Sequence, residues 1–200
     1  MNGEPKQRDG RTVRAERTRA ALVEALLALL DEGRLRPTAA EIAERAGVSE
    51  RSVFQHFPDR EALLEAVARE QYERIVPTIS PVDASRSLRE RTDGFVDQRC
   101  AVYERVAGVR RAALLMEPES DVVAGWLTSV RRAGAAEVER VFRRELEATP
   151  ADEREALRAA LVAACAWGTF EALRFHQGLS VGRTRGAMHT MVSRLARSER

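Results

Sequence analysis

The chain has 200 residues, of which 44% are hydrophobic and 32% are charged, and its formal net charge at pH 7 is +2. This length is sufficient for a hydrophobic core in one large domain or in two small ones. No uncharged apolar run approaches the roughly 20 residues that cross a bilayer, and the charged N-terminus lacks the apolar segment of a secretory signal. We therefore expect a cytoplasmic protein that does not contact a membrane.

Cysteine spacing and motif content argue against a metal protein and against an enzyme. Cys100 and Cys165 are far apart and lack CxxC or CxxH spacing. His176 and His189 have no Asp, Cys or second His at the spacing of metal ligands. No GxSxG, HExxH, GxGxxG or GxxxxGK(S/T) motif occurs in the sequence. We predict no catalytic residue, no metal and no cofactor.

The N-terminal segment is basic. Residues 1–19 contain six basic and three acidic side chains, a local charge of +3. We predict a flexible basic arm over residues 1–13. Such an arm can lie along nucleic acid, whereas a solvated tail explains the same composition equally well.

The rest of the chain has helical periodicity. In the first predicted helix, from Arg14 to Asp31, leucines recur at three- and four-residue steps, and Gly33 stops the helix. Further helices are predicted from Ala39 to Ala46, after the capping residue Ser49, from Asp59 to Val76, and at about 84–107, 109–116, 121–147, 151–177 and 181–197. The segment PTISPVD divides the chain into domains at 14–76 and 77–200. The predicted fold class is all-α.

Residues 38–57 have the layout of a helix-turn-helix, a unit whose second helix is presented to the major groove of DNA. Thr38 and Glu41 form a T-x-x-E capping box at the start of the first helix of this unit. Gly47 falls in the turn, where a positive φ is expected. The predicted core of the unit is Ile42, Ala43, Ala46, Gly47, Val48, Val53 and Phe57.

The second helix of this unit has a polar side. A helical wheel separates Val53, Phe54 and Phe57 from Arg51, Ser52, Gln55 and His56. Arg can form a bidentate contact with guanine, Gln with adenine, and Ser with a phosphate or a base. An isolated solvated helix has a similar face, but the capping box and the small residues of the turn favour DNA. Glu50 either begins the helix, repels phosphate or accepts a hydrogen bond from cytosine.

The residues in this region that carry a family pattern are Arg19-x-x-Leu22, Gly33, Thr38, Ile42-Ala43-x-x-Ala46-Gly47-Val48-Ser49, Ser52-Val53-Phe54-Gln55-His56-Phe57 and Asp59-Arg60-Glu61-x-Leu63-Leu64. In these positions, residues 19–64 closely resemble the DNA-binding domain of the TetR (tetracycline repressor) family. Three positions depart from the pattern: Phe54 replaces the commoner tyrosine, Ser52 replaces threonine and Arg60 replaces lysine.

The resemblance implies a homodimer that binds a near-palindromic operator on double-stranded DNA, in the cytoplasm at the nucleoid. It implies repression, with release by a small-molecule effector bound in the second domain. It also implies a DNA-binding set, with Thr38 and Arg60 near phosphates and the others near bases or backbone: Thr38, Ser49, Arg51, Ser52, Gln55, His56 and Arg60. An activator, a regulator without ligand and a helical partner-binding protein remain alternatives.

The second domain contains two further predicted sites. The last two helices carry apolar and small residues that would form a four-helix bundle between two subunits, or an intramolecular core. The dimer set is Leu157, Leu161, Ala164, Gly168, Phe175, Met188, Met191, Val192 and Leu195. Aromatic residues with a polar anchor, Arg99 or His176, would line a pocket for a mostly apolar effector, or belong to the core. The pocket set is Phe95, Arg99, Tyr103, Trp126, Trp167, Phe170 and His176.

Overall fold

The computed structural model describes residues 10–197, and within this range the chain folds into helices joined by turns and loops, without strands. The α-helices are α1 Gly10–Asp31, α2 Ala39–Ala46, α3 Glu50–His56, α4 Arg60–Ile75, α5 Leu88–Met116, α6 Asp121–Val141, α7 Arg143–Ala148, α8 Ala151–Ala164, α9 Trp167–Glu171 and α10 Val181–Leu195. Short 3-10 turns follow α4 and α5, and a π-helical turn, Ala172–His176, follows α9. The predicted all-α fold class is confirmed.

The first helix begins earlier than predicted. Residues 1–9 of the predicted arm lie outside the described range, but residues 10–13 already belong to α1. The extension of the arm to residue 13 is therefore wrong. Residues 10–13 include Gly, Thr and Val and are not strong helix formers themselves, but the segment from Arg14 onward is rich in Arg, Ala and Leu. Adding residues to a helix that has already formed costs little, so α1 extends back to Gly10.

The described chain divides into two compact units. Within the described range, the first contains residues 10–74 together with Ala107–Ala124, and the second contains Ile75–Val106 and residues 125–197. The predicted domain boundary at residue 76 lies close to the first change of unit. The sequence, however, assigns Ala107–Ala124 to the second domain, whereas in the structure this segment packs within the first unit.

Gly108 lies where the segment Ala107–Ala124 packs against α1 in the first unit. The sequence predicts a helix break there, but α5 continues through the glycine as one helix of 29 residues. A Cβ atom at Gly108 would lie 2.6 Å from the carbonyl oxygen of Leu30. The glycine therefore permits the backbones of α1 and α5 to approach each other closely, and it does not end a helix.

Two predicted helices of the second unit are interrupted instead. The stretch 121–147 breaks at Phe142, whose fully buried ring packs edge to face against Phe95 with the ring centroids 5.7 Å apart. The stretch 151–177 breaks at Cys165 and Ala166, where the hydroxyl of Thr169 donates to the carbonyl of Ala163 at 2.6 Å. A side-chain donor here takes a carbonyl that an uninterrupted helix would use for its own backbone.

A buried ion pair joins α5 to α7 in the second unit. Arg91 is 2% exposed, and its guanidinium forms two hydrogen bonds with the carboxylate of Glu145, of 2.6 and 2.9 Å. It also donates to the carbonyls of Arg86 and Val141. The charge is therefore paired in a bidentate manner, as a buried guanidinium requires.

No single helix in residues 10–197 has the length and apolar character to cross a membrane; only Ala151–Ala164 and Trp167–His176 taken together do, and they are bent by 46°. Across the same residues, no three His, Cys, Asp or Glu side chains are grouped so that they could hold a metal ion.

Candidate nucleic-acid interface

A capping box begins α2, as the sequence predicts. The Glu41 N–H donates to Thr38 Oγ1 at 3.2 Å, and the Thr38 N–H donates to Glu41 Oε2 at 2.7 Å. The Thr38 hydroxyl also donates to this carboxylate, at 2.9 Å. The backbone N–H and the hydroxyl of Thr38 lower the pKa of Glu41 most, and the positive charge of Arg34 lowers it further. The carboxylate thus stays charged and fixes the start of α2.

The turn between α2 and α3 depends on Gly47. Its φ of 67° and ψ of 33° lie in the left-handed region, which confirms the predicted positive φ. The Val48 N–H donates to the carbonyl of Ala43 at 3.0 Å and closes the end of α2. Ala43 is 3% exposed, so a larger side chain has no room at this position.

The helix-turn-helix core is narrower than the sequence predicts. Ile42, Ala43, Val53 and Phe57 are buried. The other three members of the predicted core lie at its edge, Ala46 and Val48 half-buried and Gly47 exposed. On α3 itself, Val53 is therefore the one buried position, and Phe57 follows directly after the helix.

Phe54 lies on the opposite side from its predicted position. The wheel places it with Val53 and Phe57, but its side chain is 59% exposed. Each helical residue turns by about 100°, so Phe57 returns to within about 40° of Val53 while Phe54 lies about 100° away. The grouping of Phe54 with Val53 and Phe57 is therefore wrong.

The polar side of α3 faces solvent. Arg51 and Gln55 are exposed, and Ser52 and His56 are half-buried. Within residues 10–197, no hydrogen bond or ion pair engages the side chains of Arg51, Gln55 or Arg60. By contrast, Arg34 and Arg45 on the neighbouring elements are paired, with Glu41 and Glu32 respectively. The unpaired positive charge of this surface is thus found on α3 and at the start of α4.

Side-chain caps fix the start of α3 and the start of α4. The Ser52 N–H donates to Ser49 Oγ at 3.3 Å, and the two serine hydroxyls are 2.9 Å apart. At the start of α4, the Ala62 N–H donates to Asp59 Oδ1 at 2.7 Å. Arg60 is the first residue of α4 and is exposed. These caps hold Ser49, Ser52 and Arg60 at defined positions around the polar side of α3.

Arg19 is the residue of this site to which the sequence assigned no role. Its guanidinium lies over the ring of Phe57, with the central carbon 4.1 Å from the ring centroid. Its Nη1 donates to the carbonyl of His56 at 3.0 Å. A cation at a helix C-terminus and over an aromatic ring is stabilising on both counts. Arg19 therefore holds the end of α3 against α1, and the only signal in the sequence was its place in the family pattern.

Comparison with known proteins agrees with this geometry. Residues 21–67 match the family described as bacterial regulatory proteins, tetR family. The match covers the helix-turn-helix and the helices on either side of it, so residues 21–67 are similar to the DNA-binding domain of that family. This agrees with the resemblance found in the sequence over residues 19–64.

Two individual proteins show how far the similarity extends. The HTH-type transcriptional repressor LfrR of Mycolicibacterium smegmatis (strain ATCC 700084 / mc(2)155) is 40% identical over 79 aligned positions, which cover 35% of this chain and only 40% of the length of that repressor. The crystal structure of a transcriptional regulator from Rhodococcus sp. Rha1 superposes with a TM-score of 0.65 at 18% sequence identity, over 90% of this chain and 95% of that one. The second likeness concerns the fold alone.

The predicted effector-pocket residues do not form one site. Tyr103, Trp167 and Phe170 contact one another, with ring centroids 5.3 to 5.6 Å apart. Phe95 instead contacts Phe142, while Arg99 stacks on Phe95 and pairs with Glu137 at 3.2 Å. Trp126 is half-buried and His176 is exposed. The three clustered rings fill a core, because each packs against the others.

Two surface grooves of the second unit have other linings. The larger, of about 600 Å³, lies between the segment after α4 and the first half of α5; the smaller, of about 470 Å³, lies between α7 and α8. The larger is lined by Thr78, Ile79, Ser80, Val82, Asp83, Arg86, Glu90, Gly94, Asp97, Gln98, Ala101, Val102 and Arg105. None of the seven predicted pocket residues lines either groove.

The predicted dimer set is also divided. Leu161, Ala164, Met188 and Val192 are buried within the second unit, where α8 packs against α10. These four residues therefore belong to the intramolecular core. Their side chains already pack between helices of their own unit and are not available to a second subunit. Leu157, Phe175, Met191 and Leu195 are half-buried, and Gly168 is exposed.

Proposed function

We propose that this chain is a dimeric transcriptional regulator that binds a near-palindromic operator through α3, represses transcription there and is released by a small-molecule effector. The observation that carries the proposal is the polar side of α3. Arg51 and Gln55 are exposed and unpaired within the described residues, while Val53 and Phe57 anchor the other side of the helix. A short helix with one side packed against the domain and the other side exposed to solvent can enter the major groove.

Base contacts are assigned to Arg51 and Gln55. Arg matches the two acceptors of guanine and Gln the donor and acceptor of adenine, and each good bidentate pair discriminates against the wrong base by about 1–3 kcal/mol. Neither side chain must break an intramolecular bond before it binds. The hydrogen-bonding groups of Arg51 and Gln55 can therefore bind DNA without the loss of an intramolecular hydrogen bond.

Backbone contacts are assigned to the residues around α3. Arg60 is exposed and unpaired in residues 10–197, which suits a phosphate. Ser49 and Ser52 share one hydrogen bond, which leaves one of the two hydroxyl hydrogens for DNA. The Thr38 hydroxyl already donates to Glu41, so a phosphate at Thr38 has to compete with that carboxylate. His56 is half-buried and lies at the rim of this surface.

Dimerisation follows from the symmetry of the operator. Two copies of α3 about 34–36 Å apart enter successive turns of the major groove, and a twofold dimer places them there. The proposed interface uses those positions from α8 to α10 that the second unit leaves at least partly exposed, including positions on α9 and the π-helical turn. Of the predicted set, Leu157, Gly168, Phe175, Met191 and Leu195 keep some exposure.

Repression and effector release are the family-level part of the proposal. The similarity to a protein described as a transcriptional repressor, confined to 79 aligned positions, supports repression. An effector lowers operator affinity only by its differential affinity for the two forms of the protein. An activator or a ligand-independent regulator would bind the same operator, and transcription in vitro with and without the protein distinguishes the three.

The test starts from fragments of the source genome selected by the full chain. Operator affinity is then measured by fluorescence anisotropy for the wild type, Arg51→Ala and Gln55→Ala, each against unrelated DNA. We expect each variant to lose about 5- to 150-fold of the selectivity, with the oligomeric state unchanged in light scattering. Arg132→Ala, which removes an exposed arginine from α6, is the charge-matched control. Unchanged selectivity in the two α3 variants would refute the assignment. Compounds related to the genes beside the operator are then screened for release.

A further inference from the structure

Phe54 is an exposed aromatic side chain on α3. Its exposed fraction is 59%, whereas Phe57, directly after the helix, is 2% exposed. A single exposed apolar residue on a protein surface needs no functional explanation. The position of Phe54 relative to the residues assigned to DNA is therefore the observation that matters.

Phe54 lies next to both proposed base-contacting residues. At about 100° per residue, Phe54 is about 60° from Arg51 and about 100° from Gln55 around the helix axis. All three are exposed. They form one continuous surface, with Phe54 at one border, Arg51 in the middle and Gln55 at the other border. A helix that brings Arg51 and Gln55 into the major groove brings Phe54 with them.

The chemistry of the ring limits what it can contact there. A phenyl ring has no donor or acceptor and cannot bind a phosphate through a hydrogen bond. The apolar feature of the major groove is the C5 methyl group of thymine, and phenylalanine is one of the side chains that packs against it. Contact with that methyl group removes apolar surface of both partners from water.

We propose that Phe54 is a specificity-determining residue that packs against the C5 methyl group of a thymine beside the bases contacted by Arg51 and Gln55. The inference rests on the proposed DNA-binding function and adds one base to what the site reads. Sequence preference at this base then comes from an apolar contact and not from a hydrogen bond.

The test replaces each thymine of one operator half-site, one at a time, by deoxyuridine, which lacks only the methyl group. For the wild type we expect one position at which the replacement weakens binding about fourfold, the value for one buried methyl group. For Phe54→Ala we expect weaker binding to the thymine operator and no difference between thymine and deoxyuridine at that position. A cytosine placed there should regain affinity when it is replaced by 5-methylcytosine, in the wild type only.

The matched control is Tyr72→Ala, which removes an aromatic side chain of 65% exposure from α4 in the same unit. It should keep the thymine preference, and circular dichroism should show unchanged folding of both variants. Equal affinity of the wild type for thymine and deoxyuridine at every position, with selective binding retained, overturns the Phe54 assignment and leaves the proposed function intact. A preference that survives in Phe54→Ala overturns it as well. Absence of any selective DNA binding overturns both proposals.

Discussion

Arg19 and Phe57 form a stacked pair that connects α1 to the end of α3. The guanidinium carbon is 4.1 Å from the ring centroid of Phe57, and Nη1 of the same residue donates to the carbonyl of His56 at 3.0 Å. Phe57 is 2% exposed, and the guanidinium of Arg19 covers one face of its ring. The orientation of α3 thus depends on a residue that is not itself on the polar side of that helix.

Arg19→Ala is expected to lower the free energy of unfolding by about 1 kcal/mol, as for an exposed cation–π contact with a hydrogen bond to a helix C-terminus. Operator affinity should fall as well, because α3 is held less firmly, while the preferred bases stay the same. Thermal unfolding and fluorescence anisotropy measure the two effects. Arg17→Ala, an exposed arginine two positions earlier, removes the same charge. Equal losses in both variants would show that charge alone, and not the stacked contact, is responsible.

Gly108→Ala is expected to destabilise the first unit by about 1–3 kcal/mol, the usual cost of overpacking. The new Cβ atom would lie 2.6 Å from the carbonyl oxygen and 2.7 Å from the carbonyl carbon of Leu30, which are backbone atoms and cannot rotate away. Gly125→Ala in α6 is the matched control, since nothing lies within 4 Å of its Cβ position. Alanine there should stabilise the helix by up to about 1 kcal/mol. Urea denaturation of both variants measures the difference, and stabilisation by both would contradict the close approach.

The parts of the fold that the sequence predicts correctly have local causes. The capping box needs only Thr38 and the residue three positions later, and the turn needs only a glycine at Gly47. The helix breaks of the second unit depend instead on contacts between distant residues. Phe142 ends α6 where its ring packs against Phe95, which is 47 positions earlier in the chain, so a local sequence pattern cannot predict this break.

The errors in the predicted sites have two physical origins. The helical wheel grouped Phe54 with Val53 and Phe57, although Phe54 lies about 100° from Val53 around the helix axis and is exposed. An apolar stripe on a helix indicates that this side is buried, but it does not indicate which helix packs against it. Met188 and Val192 therefore fit a dimer interface and an intramolecular core equally well in the sequence, and in the structure they are buried where α10 packs against α8. Pairing over long separations, such as that of Arg91 with Glu145, leaves no pattern in one sequence.

Glu145→Gln is expected to lower the free energy of unfolding by about 3–5 kcal/mol, because it leaves the guanidinium of Arg91 buried without its counter-charge. Arg91 is 2% exposed and Glu145 13%, so water cannot replace the lost partner. Glu155→Gln is the matched control in α8, since its pair with Arg158 lies on the surface and should contribute little to stability. Chemical denaturation compares the two. A loss of similar size in both variants would show that burial does not distinguish the pairs.

The two cysteines are expected to be unreactive in the folded chain and to make it sensitive to alkali. Burial raises the pKa of Cys100 to about 11 and that of Cys165 to about 12. Since the thiolate is the reactive species, a thiol reagent at pH 8 should label neither residue until the chain is unfolded. A thiol whose pKa is higher in the folded state binds its proton more tightly there, so its contribution to stability is complete below the unfolded pKa of about 8.5 and is lost as the pH rises towards 11 to 12.

The free energy of unfolding should therefore fall over this alkaline range, and Cys100→Ser with Cys165→Ser should reduce the slope. Rapid labelling of the native protein at pH 8 would contradict the burial of these thiols.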